Sequence, residues 1–407
     1  MLGKLLRQFA GVAVLHGLIV LLPIVVVPHL VRQLGPDGFG RLSLALAISG
    51  ILMPVLDMGF QLEATRELAK NHKLKNRLLG TFLQQRLMLF VIVAGPFATI
   101  MLVIPHLREL GWLLFTAYLY AVVNSLVPNW YFEGRAKFKT VQFIFLLWRI
   151  LYAIGVLLAI QSQGQENRAL WLNVLGGSAS VALSAFLVLK EGTRPVFGPW
   201  QKAFRQLFTG ASMASTPITA SIISFMPQIV VSFLLGPVQF GYFALVDRLL
   251  QVFRMGGAMF STLVYTTYSQ MLVSDAKAIK PFYRKVSFLV FAGTGALVLI
   301  LQVFKVPVLG ILAEVVTPDA LALYTVLLWA GVFIVQRLHQ QRYLLALKRE
   351  NRVALVSWLA VVLMPILLIS GYYLNGQTGT AWGFLAFEAI FSAALYLESQ
   401  RPGITPK

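Results

Sequence analysis

Cysteine is absent from this 407-residue chain, and histidine occurs only five times. The first absence excludes disulfides, thiolate nucleophiles and cysteine-ligated metal sites, and the second leaves little from which to build a metal enzyme. Charge is scarce too: Asp, Glu, Lys and Arg make up 12% of the residues, where a soluble domain carries about 25%. So few charges cannot cover a globule of this size. The balance is apolar, with 58% hydrophobic residues and a mean hydropathy of +0.77. An all-α integral membrane protein is expected, since unbroken apolar runs can satisfy their backbone in lipid only as helices. Acidic residues are the rarest charges, 15 against 34 basic, giving a net charge of +19. In a soluble chain that excess would suggest nucleic acid; in a membrane chain its distribution decides, and no nucleic-acid partner is expected.

About 20 apolar residues are needed to cross the hydrocarbon layer. Twelve such spans are predicted, at 9–33, 39–62, 78–105, 109–127, 140–160, 168–190, 206–235, 240–272, 286–303, 319–341, 353–373 and 379–397. The stretch 306–318 is apolar but short and reads as interfacial. Behind Lys4 and Arg7, the first apolar run is too long for a cleavable leader and is kept as a span. With the N-terminus cytoplasmic, 25 basic residues fall on inner segments and five on outer ones. That alternating bias predicts cytoplasmic N- and C-termini and explains most of the surplus charge as orientation. The predicted divisions are a lobe at 1–190, a cytoplasmic linker at 191–205, a lobe at 206–397 and a cytoplasmic tail at 398–407.

Leu34-Gly35-Pro36-Asp37-Gly38-Phe39-Gly40 and Leu235-Gly236-Pro237-Val238-Gln239-Phe240-Gly241 share five of seven residues at a spacing of 201. Each follows a proline-containing span, with Pro23 and Pro28 in the first and Pro217 and Pro227 in the second. Gly-Pro alone is turn chemistry. Two copies half a chain apart predict a parallel 6+6 repeat, two six-helix lobes around a central cavity, as in some transporters.

Further motifs follow: Asp57-Met58-Gly59-Phe60, then Ala64-Thr65-Arg66; Pro128-Asn129-Trp130-Tyr131-Phe132-Glu133-Gly134; and Phe240-Gly241-Tyr242. With the Leu34–Gly40 turn, the chain resembles the Wzx-type polysaccharide or O-antigen flippases of the multidrug/oligosaccharidyl-lipid/polysaccharide (MOP) exporter superfamily. That resemblance implies transport, not enzymatic catalysis, in the bacterial inner membrane. The cargo it implies is an undecaprenyl-diphosphate-linked oligosaccharide, moved from the cytoplasmic to the periplasmic leaflet for O-antigen, exopolysaccharide or capsule synthesis. Membrane lipids, a polysaccharide polymerase and glycosyltransferases are the implied partners. The related lipid II flippases usually carry two further C-terminal helices, which disfavours that branch.

Four arginines lie inside the predicted spans: Arg86, Arg149, Arg248 and Arg254, with Arg149 and Arg254 deepest. An arginine at mid-bilayer costs about 2.5–3.5 kcal/mol, so it must face a cavity or a partner. A guanidinium keeps its charge and grips phosphate oxygens in pairs, which suits a diphosphate headgroup. All four are candidate substrate-binding cations, though Arg86 could instead snorkel and Arg248 could pair with Asp247. Asp247, Gln251, Arg254 and Ser261 form one stripe on their helix, and Ser221, Ser224, Gln228 and Ser232 form another. These stripes either line the cavity or bond to neighbouring helices. Glu388, Asp57 and Asp247 are candidates for coupling to a proton or sodium gradient, with no other cofactor expected. The bland alternatives are an intramembrane hydrogen bond for Glu388 and a helix-end contact near Arg66 for Asp57. His16 reads as a packed residue, and Trp130, Tyr131 and Phe132 as an interfacial belt.

Two rivals are weighed. A cation-coupled multidrug exporter should place acids inside the first lobe, where this chain has Arg86, Arg149 and His16. A membrane polymerase, ligase or glycosyltransferase should carry a large outer loop or paired acids, and the outer loops here are short; nor does the chain contain His-Glu-x-x-His or Gly-x-Ser-x-Gly.

Overall fold

A computed structural model describes residues 2–275, 277–312 and 316–401, without the side chains of 2–14, 16, 20–21, 23–24, 209–212 and 273. The tail residues 402–407 and the side chains of Lys4, Arg7, His16 and Pro23 therefore lie outside the description. The helices are α1 Leu2–Asp57, α2 Phe60–Lys70, α3 Lys75–Val103, α4 Pro105–Arg108, α5 Gly111–Ser125, α6 Asn129–Glu133 and α7 Phe138–Ala159. Then come α8 Glu166–Lys190, α9 Trp200–Leu234, α10 Pro237–Ser274, α11 Ile279–Val303, α12 Lys305–Leu312, α13 Pro318–Ala346 and α14 Glu350–Gln400. Among the described residues nine helices are long and apolar enough to cross a membrane, and the chain is an all-α, multi-pass membrane protein. The helix α10, which carries Asp247, Arg248 and Arg254, is not one of the nine.

Two of the long helices are broken. In α1 the break is Gly35, at φ 71°, ψ 172°, a left-handed backbone that glycine adopts at little cost, and Pro36 follows it. The second motif copy also ends one helix and opens another, since Gly236 caps α10 and Pro237 occupies its first turn, where a missing N–H is harmless. In α14 the break is Asn375–Gly376. Its two arms meet backbone to backbone: a Cβ on Gly379 would lie 1.9 Å from the Gly371 carbonyl oxygen, and one on Gly371 would lie 2.2 Å from that of Gly379. Small residues permit such approach where no hydrophobic force drives helices together in lipid.

The predicted second span ends too late. Its helix stops at Asp57, because Met58 and Gly59 turn left-handed at φ 45° and 76°. A separate amphipathic helix, α2, follows, burying Phe60, Ala64 and Leu68 at four-residue intervals. The tenth span is extended, α13 running to Ala346 in place of 341. The short apolar stretch forms α12, only eight residues long.

The chain forms two compact units, Met1–Met226 and Pro227–Lys407, whose boundary falls within α9. In the first, α1 packs on α5 and α7, and α8 covers both of those. Trp148 of α7 fits against Gly176 and Gly177 of α8 and donates to the Asn173 carbonyl at 2.9 Å. In the second unit α13 is central, packed on α10, α11 and α14. That placement buries polar as well as apolar side chains of α13, which positions the sites below.

Candidate functional site

The first unit separates two arginines that the sequence treats alike. Arg86 of α3 is 1% exposed and makes an ion pair with Asp57. Its other donors reach carbonyl oxygens: Leu56 at 2.6 Å, Asp57 at 3.2 Å and Ser125 at 2.9 Å. Those carbonyls belong to the C-terminal ends of α1 and α5, where backbone oxygens lack helical partners and the helix dipole is negative. Phe82 and Phe60 flank the guanidinium, at 4.8 and 5.9 Å from its carbon to the ring centroids. Arg86 thus ties two helix ends together. It neither snorkels nor offers free donors to a substrate, which corrects both expectations for it. Asp57 is corrected too, since its partner is Arg86, while Arg66 is exposed.

The expected interfacial belt is also corrected. Trp130, Tyr131 and Phe132 of α6 are at most 1% exposed. Trp130 meets Phe60 and Phe82 with ring centroids 6.0 Å apart in each case. Gln61 ties the same region, donating to the Val127 carbonyl at 3.0 Å and accepting from the Trp130 N–H at 2.8 Å. The motifs around Asp57 and Trp130 therefore form one aromatic knot.

Arg149 of α7 is different. It is half-buried, and among the described residues its side chain has no hydrogen-bond or ion-pair partner.

In the second unit a polar network crosses α9, α10, α13 and α14. Asp247, 1% exposed, accepts from Gln228 and pairs with Arg254 at 2.8 Å. Among the described residues the ion pair of Asp247 is with Arg254 and not with adjacent Arg248, the alternative the sequence left open, because neighbours on a helix point about 100° apart whereas i and i+7 share a face. Arg248 instead donates to Gln251 at 3.1 Å. Arg254 is partly open, its side chain 13% exposed. Glu388, 1% exposed, pairs with Arg337 at 3.0 Å. Ser392 donates to Gln340 at 3.2 Å, and Tyr268 meets His339 at 3.1 Å.

The two stripes divide on this geometry. Ser261 is fully buried against protein, and Gln228 and Ser232 are buried; Ser221, Ser224 and Gln251 are half-buried, with Ser224 bonded to the Ala220 carbonyl at 2.8 Å. Sequence reasoning missed Arg337, counting it among inner-loop charges, and missed His339 and Gln340. Their signal was the polar run Gln336-Arg337-Leu338-His339-Gln340-Gln341-Arg342 inside a helix closed too early.

Glu388→Gln keeps the shape and one acceptor for Arg337 but removes the countercharge. A loss of about 1–3 kcal/mol is expected, read as a lower unfolding temperature in detergent.

Among the described residues no three His, Asp or Glu side chains cluster as a metal site would require. The chemistry on offer is ionic: two buried arginine–carboxylate pairs in the second unit and, among the described residues of the first, Arg149 with no partner.

Comparison with known proteins adds to this picture. A family profile described as "Polysaccharide biosynthesis protein" matches residues 5–271. A protein assigned as an O-antigen transporter in Escherichia coli (strain K12) is 24% identical over 244 residues, 59% of each chain. One given the same assignment in Shigella dysenteriae is 25% identical over 179 residues, 43% of this chain and 45% of the relative. The matched stretches thus span roughly half the length of these relatives. Among solved structures, an inward-facing multidrug resistance MATE family transporter of the MOP superfamily superposes with a TM-score of 0.76 at 14% identity, covering 94% of both chains. The lipid II flippase MurJ, in an inward closed conformation, gives 0.72 at 14% identity over 96% of this chain and 87% of the other. At such identity these likenesses establish a shared fold.

Proposed function

We propose that this chain, which belongs to the polysaccharide biosynthesis protein family, is a flippase for an undecaprenyl-diphosphate-linked oligosaccharide. It carries the lipid from the cytoplasmic to the periplasmic leaflet of the bacterial inner membrane, with both termini cytoplasmic. Two six-helix lobes open alternately to either side, and the chain performs no covalent chemistry on its cargo. The observation that carries the reading is the state of the arginines in a chain of this family. Among the described residues Arg149 has no partner and Arg254 is partly open, so both can meet an anionic headgroup, whereas Arg86 cannot. A half-buried guanidinium in a membrane helix needs a countercharge or water, and diphosphate supplies the first.

The fold is shared with drug exporters and does not choose between cargoes. Charge does. Asp57, Asp247 and Glu388 each hold an arginine and have no spare negative charge for a cationic drug. The same burial makes Asp247 and Glu388 the groups through which a proton or sodium gradient would act, by competing with the arginine for the carboxylate. A polymerase and glycosyltransferases are the enzymes that would consume and supply such a cargo.

A strain lacking the gene should accumulate lipid-linked oligosaccharide on the cytoplasmic side and keep normal drug resistance. Drug sensitivity without accumulation would favour the exporter reading.

A further inference from the structure

The segment between α8 and α9, residues 191–199, falls in the stretch 191–205 that the sequence reads as a cytoplasmic linker. Its backbone is in fact fastened along α3. Arg194 N–H donates to the Asn76 side-chain oxygen at 3.1 Å, and Val196 N–H donates to the Asn76 carbonyl at 3.0 Å. Gln84 clasps Gly198 from both sides, donating to its carbonyl at 2.7 Å and accepting from its N–H at 3.4 Å. Gln85 reaches the Ala203 carbonyl at 3.3 Å. The strap lies so close that a Cβ on Gly80 would sit 2.0 Å from the Val196 carbonyl oxygen.

Pinning the backbone inward turns apolar side chains outward. Phe197 is 61% exposed and Trp200 52%, and the latter begins a row on α9 with Phe204 and Phe208 at four-residue spacing. Exposed aromatics beside exposed Arg194, Lys202 and Arg205 make the composition of a membrane-interface surface.

Beneath the strap is a cavity of about 180 Å³ lined by Arg77, Thr81, Gln84, Lys202 and Gln206. Arg77 and Lys202 have no ion pair or side-chain hydrogen bond among the described residues. A second cavity of similar volume shares Arg77, Thr81 and Gln206 but adds Glu63 and Glu67. Burial, and then the Glu67 charge, push the Glu63 carboxyl above its ordinary value, a sign of how poorly that wall suits more negative charge. The sign of the lining therefore separates the two. The first has two cations and two neutral donors with no carboxylate.

We infer that the cavity under the 191–199 strap binds the phosphate of a lipid headgroup, held by Arg77 and Lys202, with the acyl chains lying along Phe197, Trp200 and Phe204. Thr81 supplies a neutral hydrogen bond to a phosphate oxygen. The chemistry is shared by anionic phospholipids of the bilayer and by lipid-linked diphosphates. This inference does not rest on the flippase reading, since a drug exporter could hold a structural phospholipid in the same place.

The test uses the full-length protein in nanodiscs, with Trp200 fluorescence taken as the difference between wild type and Trp200→Phe. Brominated phosphatidylglycerol should quench that signal more than brominated phosphatidylcholine, and raising salt should remove the difference. The pair Arg77→Gln and Lys202→Gln should weaken phosphatidylglycerol binding about 30-fold, as two charges at a membrane surface imply. Arg77→Lys with Lys202 intact should retain most of it. Added undecaprenyl diphosphate that displaces phosphatidylglycerol assigns the site to the transported lipid class, and failure to displace it assigns the site to bilayer phospholipid; either result upholds a phosphate site. Equal quenching by the two brominated lipids in the wild type would overturn the inference, as would a preference that survives the double glutamine variant. Because the comparison of the two brominated lipids and its salt dependence leave Arg77 and Lys202 unchanged, misfolding of the double variant would not leave the question open.

Discussion

Replacing Arg149 by alanine should leave normal amounts of folded protein in the membrane and abolish transport, so that the variant fails to complement a strain lacking the gene. The argument is one of partners. A guanidinium half-buried on α7 with no ion pair or hydrogen bond among the described residues contributes little that folding would miss. Removing it should even lower the cost of inserting the helix, since arginine at mid-span costs about 2.5–3.5 kcal/mol. A residue that costs stability and ties down no neighbour is kept for what it binds. Arg149→Lys should recover part of the activity, because an ammonium keeps the charge but loses the two-pronged grip on phosphate. Full complementation by Arg149→Ala would remove this residue from the substrate path.

Arg86→Ala should do the reverse. Here the side chain satisfies the Leu56, Asp57 and Ser125 carbonyls and neutralises the Asp57 carboxylate. Its removal strands a carboxylate and unpaired helix-end oxygens in the aromatic knot. Breaking a buried pair by deleting one partner costs roughly 3–5 kcal/mol, a large share of a marginally stable protein. The expected result is little folded protein in the membrane and a strongly lowered unfolding temperature for what remains. Arg86→Ala combined with Asp57→Ala should regain part of the loss, since the stranded charge is gone. A variant that stayed stable but inactive would instead make Arg86 a substrate contact.

These paired expectations mark what the sequence could and could not say. Hydropathy is a property of a local segment, so the helices were legible from the chain, as were the breaks at Gly35 and Gly236, where glycine and proline act on their own backbone. The partners of a buried charge are set by tertiary packing. The sequence separates Arg86 from Arg149 only by depth along the span and does not reveal its partners, which lie 29 to 39 positions away. Arg337 was hidden for a related reason: a charge four residues from the end of the predicted span 319–341 looks like a loop charge, and its partner Glu388 lies 51 positions away. Trp130, Tyr131 and Phe132 were misplaced because aromatics at a span's end are common at interfaces, and the contact with Phe60 and Phe82 that buries them is again long-range. The Asp247–Arg254 pair was within reach of helical periodicity, which already put both on one stripe.

The pairing pattern also sets a mechanistic constraint. The buried carboxylates of the second unit, Asp247 and Glu388, are each engaged by an arginine. An incoming diphosphate would draw Arg254 from Asp247, leaving a carboxylate better disposed to take up a cation. Binding of the anion and of a proton at this place should therefore assist each other, as thermodynamic linkage requires.

The measurement that bears most directly on the central claim is translocation itself. The purified protein would be reconstituted into vesicles with a fluorescent undecaprenyl-diphosphate-linked oligosaccharide, and the label reachable by a membrane-impermeant quencher followed over time. The flippase account predicts that label crosses between leaflets only when the protein is present, and that Arg149→Ala, present in equal amount, does not support the crossing. If label stays on its original leaflet with wild-type protein across several sugar structures, with and without ion gradients, the account is contradicted.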